Sequence, residues 1–157
     1  MKSQLMTQTI ASNRRARHEY ELVERLEVGI ILTGSEVKSL RRGQANLTQA
    51  HAGMRLDELY LFNLHINEYQ NAARGSQHDP ARPRKLLLHR REQRRLIGAI
   101  QRKGQTLIPL HLYFNKRGLV KLELALGRGR KLHDKREAIK EREWKRRKDR
   151  DLAPRAG

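Results

Sequence analysis

The stretch TLIPLHLYFNKRGLVKLELALG, residues 106–127, constrains the fold of this chain more than any other. Leu110, Leu112 and Phe114 alternate with other residues up to a turn at Asn115–Gly118, and Val120, Leu122, Leu124 and Leu126 alternate away from it. A period of two puts these side chains on one face, so the segment predicts a β-hairpin with that face buried. Pro109 lacks a ladder donor and predicts an edge or bulge. A lone hairpin is barely stable in water, so the rest of the chain has to supply further strands or a covering helix.

Upstream, YELVERLEVGIILTG reads as two short strand-like runs, with Tyr20, Leu22 and Leu26 on one side, then Val28 to Leu32. SEVKSLRRG reads as a short helix capped by Ser35 and ended by Gly43, with Val37 and Leu40 facing inward. LTQAHAGM and LYLFNLHI flank the turn RLDE, and Tyr60, Phe62, Leu64 and Ile66 are expected to alternate against Leu61, Asn63 and His65. Residues 67–84, with two prolines and few apolar side chains, read as a loop, long enough to suggest function or mobility. RKLLLHRREQRRLIGAIQRKG places Leu86, Leu87, Leu88, Leu96, Ile97 and Ile100 at near-helical intervals before Gly104, which predicts a helix over 86–103. About six short strands with helices near 35–42 and 86–103 fit a small closed barrel of the oligonucleotide-binding type, mainly β, spanning residues 10–128. Residues 1–9 are expected to be a flexible terminus and 129–157 a separate basic tail.

The net charge of +18 is unevenly spread. Residues 1–73 carry 9 basic and 8 acidic side chains, whereas residues 74–103 carry 10 and 2, and residues 128–157 carry 13 and 6. Two basic blocks of this strength repel themselves without an anionic partner, and phosphate polymers are the commonest one. Neither block is paired with a wide apolar face, which argues against a membrane surface. No apolar run approaches the roughly 18 residues of a membrane span and no secretory signal opens the chain, so a cytoplasmic protein is expected. With no cysteine and seven scattered histidines, neither a metal site nor a cofactor is expected.

Beyond Gly129 the strand pattern gives way to helix formers with acids and bases interleaved. Leu132, Ile139, Trp144 and Leu152 are too irregularly spaced to form an apolar stripe, so a helix here needs outside support to persist. A solvated terminus is the plain alternative. Trp144, the single tryptophan, set among arginines, points instead to a segment that folds against a partner.

Four blocks carry a family resemblance: IASNRRARHEY at 10–20, LTGSEVKSLRRGQANL at 32–47, HDPARPRKLLLH at 78–89 and GRKLHDKREAIKEREW at 129–144. In this order and spacing the chain resembles the SmpB family, small protein B of bacterial trans-translation. The resemblance implies an adaptor, not an enzyme, on an oligonucleotide-binding barrel. Its partner would be transfer-messenger RNA (tmRNA), whose tRNA-like half it binds and whose charging it supports. Through that RNA it would meet alanyl-tRNA synthetase and elongation factor Tu indirectly, and it would enter stalled ribosomes. The tail, disordered when free and helical when bound, would occupy the small-subunit decoding centre and the empty mRNA channel.

Carried onto this sequence, the resemblance assigns Asn13, Arg14, Arg17, His18, Glu27, Lys38, Arg84, Lys85 and Leu87 to the tRNA-like half. It assigns Gly129, Arg130, Lys131, His133, Asp134, Lys135 and Arg136 to the decoding centre, and Ile139, Lys140 and Trp144 to the channel. Cations suit phosphate, while Asn13 can read a base edge or a hydroxyl. Glu27 would be repelled by phosphate, so it either accepts from a base or hydroxyl or simply pairs with Arg25 or Lys38. The residues around Leu87, taken alone, favour a core residue of its helix over a contact. Two rival functions share the charge pattern. A ribosomal or initiation-factor-like barrel would bind ribosomal RNA without any dependence on tmRNA. A nuclease using His133, Asp134 and Lys135 is disfavoured because adjacent helical residues point about 100° apart and do not converge on one atom.

Overall fold

A computed structural model describes residues 8–129 and 142–147. Leu26, Val28 and Ile30 alternate along an unbroken strand β2 (Tyr20–Ile30), one element where two runs were expected. The hairpin is formed by β8 (Thr106–Phe114) and β9 (Val120–Gly129), and its register slips between Pro109 and His111, the bulge expected at the proline. Leu112, Leu122 and Leu124 are fully buried.

The remaining elements are β1 (Gln8–Ser12), α1 (Ala16–Glu19), α2 (Gly34–Arg41), β3 (Ala45–Asn46), β4 (His51–Arg55), β5 (Glu58–Phe62), β6 (His65–Ile66), β7 (Arg84–Leu87) and α3 (Arg90–Lys103). Strands β8, β4, β5, β7, β2 and β9 pair in that order, and β9 pairs back onto β8, which closes an antiparallel ring. This is the mainly β barrel expected. Strand β1 extends it along β8, so Gln8 and Thr9, expected in the loose terminus, are paired with Phe114 and Tyr113. One leucine-rich core fills the ring, with Leu40 from α2 and Leu96 from α3 inserted into it.

Helix α3 starts at Arg90 rather than near residue 86. Three consecutive leucines satisfy either period locally; closure of the ring decides, because β7 fills the gap between β2 and β5 through the pairs Gly29–Leu87, Ile30–Leu86, Tyr60–Lys85 and Leu61–Arg84. Strand geometry then sends Leu86 inward, 1% exposed, and Leu87 outward, 50% exposed. Gly104, left-handed at φ 61°, ends α3 as expected. Faces are reversed in β5: Leu59 and Leu61 are buried, whereas Tyr60 and Phe62 are only partly so. A left-handed residue at Asn63, φ 58°, breaks the alternation and returns Leu64 and Ile66 to the core. The β4–β5 turn has Leu56 and Asp57 both at positive φ, the hairpin geometry that matches strand twist.

Helix α2 is capped by Thr33, not Ser35: the Thr33 side chain accepts from the Glu36 amide and the Glu36 carboxylate accepts from the Thr33 amide. Ser35 is thereby released to bond His78 Nδ1 at 2.9 Å, while His78 Nε2 reaches the Ile66 carbonyl at 3.0 Å. Val37 is only partly buried, and Ser39 takes the inward place beside Leu40, donating to the Asn67 carbonyl at 2.7 Å. The segment between β6 and β7 is thus irregular but pinned. Gln77 bonds both backbone groups of Tyr69, and Arg82 reaches Glu36 at 2.6 Å.

Candidate nucleic-acid interface

Beyond β1 the chain turns across the outside of the barrel. The Asn13 amide donates to the Leu110 carbonyl at 2.8 Å, and Ala16, 1% exposed, docks in a small apolar patch with Ile108, Leu110 and Ala125, flanked by Tyr20 and Leu22. Gly127 leaves room for the Ile108 side chain of this patch, since a Cβ there would lie 2.8 Å from Ile108 Cδ1 and 3.1 Å from the Glu21 carbonyl. Anchored by one small residue, the segment leaves Arg14, Arg15 and His18 exposed. Arg17 also lies on α1. Two shallow recesses share Asn13, one shaped by Arg15, Thr48 and His51, the other by Ser12, Arg14 and His111.

Strand register extends this surface. In one row across the outer face Glu27 stands opposite Glu123, Glu123 opposite His111, and His111 opposite Ser12. The neighbouring row runs Leu87, Gly29, Lys121, Tyr113 and Thr9. Directly paired residues point to the same side, so Ser12, Glu27 and Leu87 share one face about four strand spacings wide, roughly 19 Å, and Asn13 follows Ser12 at its edge, lining a recess with His111. Ser12 Oγ and His111 Nδ1 are 2.9 Å apart. Leu87 leans over Gly29, whose missing side chain leaves the room: a Cβ built there would sit 3.2 Å from Leu87 Cβ.

Glu27 is exposed, and its carboxylate accepts a hydrogen bond from the Tyr113 hydroxyl rather than pairing with Arg25 or Lys38. Arg25 goes to Glu123 instead, at 3.6 Å. Burial, and then the bond to Glu27, push the Tyr113 phenol above its ordinary value, so it stays a proton donor. The surface combines a phenol-held carboxylate, an apolar edge and flanking cations. That mixture suits base edges and ribose hydroxyls beside phosphates.

Other expected contacts fall elsewhere. Arg84 is fully buried: it pairs with Glu36 and donates to the Leu64 carbonyl at 2.5 Å and the Pro80 carbonyl at 3.1 Å, so its guanidinium holds the fold and is closed to phosphate. Lys85 is half-exposed but pairs with Glu58 at 2.8 Å. Lys38, exposed on α2, lies over the Tyr69 ring at 5.6 Å, and Arg42 lies over it at 4.8 Å. Gly129 closes β9 opposite Tyr20, beside α1. Arg130, Lys131, His133, Asp134, Lys135, Arg136, Ile139 and Lys140 lie outside the described residues. Trp144 belongs to a helical stretch at 142–147 and is 63% exposed. Sequence reading passed over Tyr113, His111, Lys121 and Glu123; their signal was the polar half of the β8–β9 alternation, which marks a face without saying what it meets. Among the described residues no cluster of histidines and acids could hold a metal ion, and no helix is long and apolar enough to cross a membrane.

A family model described as SmpB protein matches residues 10–154. The chain belongs to the SmpB family. The SsrA-binding protein of Rhodospirillum rubrum is 57% identical over 143 residues, covering 91% of this chain and 89% of that one. The SsrA-binding protein of Rhodopseudomonas palustris is 51% identical over 154 residues, 98% of each chain. A solved structure concerned with tmRNA–SmpB and the bacterial ribosome is 50% identical, with a TM-score of 0.64, covering 82% of this chain and 92% of that one. This SmpB chain therefore shares both sequence and barrel with its relatives over most of its length.

Proposed function

We propose that this SmpB chain is a tmRNA-binding adaptor of trans-translation, acting in the cytoplasm without catalysis of its own. The observation that carries the reading is that Glu27 and Leu87, distant in sequence, share one outer barrel face with Ser12, at whose edge Asn13 and Arg14 line a recess with His111, and that His18 is exposed on α1. This face meets the tRNA-like half of tmRNA, with cations at its margin on phosphate and Asn13 and Glu27 on bases or hydroxyls. Family membership and relatives named for binding SsrA support the same partner. Through the RNA the protein supports charging by alanyl-tRNA synthetase and travels with elongation factor Tu to the ribosome, where the segment beyond Gly129 enters the decoding centre and mRNA channel.

Binding of the full chain to tmRNA, ordinary tRNA and a random RNA over a series of salt concentrations tests this. A preference for tmRNA that survives rising salt is expected. Equal, steeply salt-dependent binding to all three would overturn the reading in favour of a general ribosomal RNA binder. Removing residues 130–157 is expected to leave that affinity nearly intact while abolishing peptide tagging on stalled ribosomes; a truncated chain that still tags would remove the tail from the function.

A further inference from the structure

Tyr113 sits on β8 and Glu27 on β2, with β9 between them. Their backbones are two strand spacings apart, roughly 10 Å, yet the phenol crosses β9 to donate to the Glu27 carboxylate. Tyr113 is 2% exposed, so its ring is fixed by packing and its hydroxyl has one place to go. Glu27 is the exposed end of this bond. No salt bridge joins Glu27 to a described lysine or arginine, and Glu123 stands directly across from it. A carboxylate so placed still has lone pairs to offer after accepting from the phenol.

We propose that Tyr113 is a positioning residue for RNA recognition, holding the Glu27 carboxylate so that its remaining lone pairs accept from an N–H or 2′-hydroxyl of an unpaired nucleotide. The proposal rests on the RNA-binding reading of this face. A carboxylate on a flexible, exposed side chain would lose rotamer freedom on binding; one already held by a buried phenol loses less, and charge-assisted bonds of this kind are the strong ones. The raised phenol keeps the donor protonated throughout the neutral range. Leu87, leaning on Gly29 alongside, supplies an apolar edge against which a base can lie.

The test is a double-mutant cycle read by binding to the isolated tRNA-like half of tmRNA, with thermal melting of each variant. Tyr113→Phe is expected to weaken binding about three- to tenfold. The slope of log affinity against log salt should stay unchanged, because no phosphate contact is lost. In a Glu27→Ala background the same change should cost less than twofold, since the group it positions is gone. Wild-type affinity in Tyr113→Phe, or a full loss added to that of Glu27→Ala, would overturn the proposal. Glu27→Gln leaves the packing of Tyr113 untouched and turns one acceptor into a donor; it should lose as much affinity as Glu27→Ala, and retained affinity would equally overturn it. If the unmodified chain shows no preference for tmRNA, the functional reading fails and takes this with it. Preference with additive variants removes the role of Tyr113 alone.

Discussion

Glu27 and Glu36 lie nine positions apart and are both held by a specific donor, yet they do opposite work. Glu36 is fully buried, and its oxygens are taken by Arg82, Arg84 and the Thr33 amide. Glu27 is exposed on the outer sheet, with a single phenol as its partner. In the first cluster every strong valence is used inside the protein, tying α2, β7 and the segment after β6 together. In the second, valences remain open. The same functional group becomes a structural bolt or stays open to a further donor according to how many of its lone pairs the fold consumes.

The largest effect separating the two should follow from cutting the buried pair. Arg84→Met leaves Glu36 short of a partner and is expected to destabilise the protein by about 3–5 kcal/mol in urea unfolding. An equal loss from Glu27→Ala would erase the distinction. Acid should act on the same cluster. Burial alone raises the Glu36 carboxyl, but the hydrogen bonds from Arg82, the Thr33 amide and Arg84 override it and leave it below its ordinary 4.5. The folded value is depressed, so its contribution is present above about pH 4.5 and is lost as pH falls through the folded value. Melting temperature measured from pH 6 to pH 3 should decline, and decline less in Glu36→Gln, whose starting stability is lower.

Next in size, Glu27→Ala and Leu87→Ala are expected to lower affinity for the tRNA-like half about tenfold each, while unfolding free energy moves within about 0.5 kcal/mol. Substantial unfolding of Leu87→Ala would return that residue to the core. Gly29→Ala places a Cβ 3.2 Å from Leu87 Cβ and should displace that side chain, with a smaller, two- to threefold loss of affinity in the same assay. Smallest of all, Arg95→Ala removes an exposed pair with Glu24, 2.5 Å apart, and should change stability by about 0.5 kcal/mol or less and RNA affinity hardly at all.

The hairpin, the bulge at Pro109 and the helix end at Gly104 were legible because each rests on local chemistry: alternation, a missing donor, a left-handed residue. Leu86 and Leu87 were misassigned because a run of leucines carries no period, and only ring closure with β2 and β5 settles it. Asn63 hid a change of face that composition does not announce. Among the site residues, the resemblance pointed to Asn13, Glu27 and Leu87; the strand register puts Glu27 and Leu87 on one face, and Asn13 sits at its edge beside Ser12 and His111. It also proposed Arg84, since an arginine in a basic block looks the same in sequence whether it faces solvent or a buried glutamate 48 positions earlier. Tyr113 was invisible as a partner of Glu27 because their meeting depends on β9 running between them.

The last rung of the β2–β9 ladder, Tyr20 opposite Gly129, has a consequence for how two binding events are joined. It fixes the root of the C-terminal segment one residue from the end of α1, on a barrel with no hinge between the two. The distance from α1 to the point where the chain leaves the barrel is therefore set inside the sheet, like the zero of a ruler. Its calibration mark is a backbone pairing rather than any side chain.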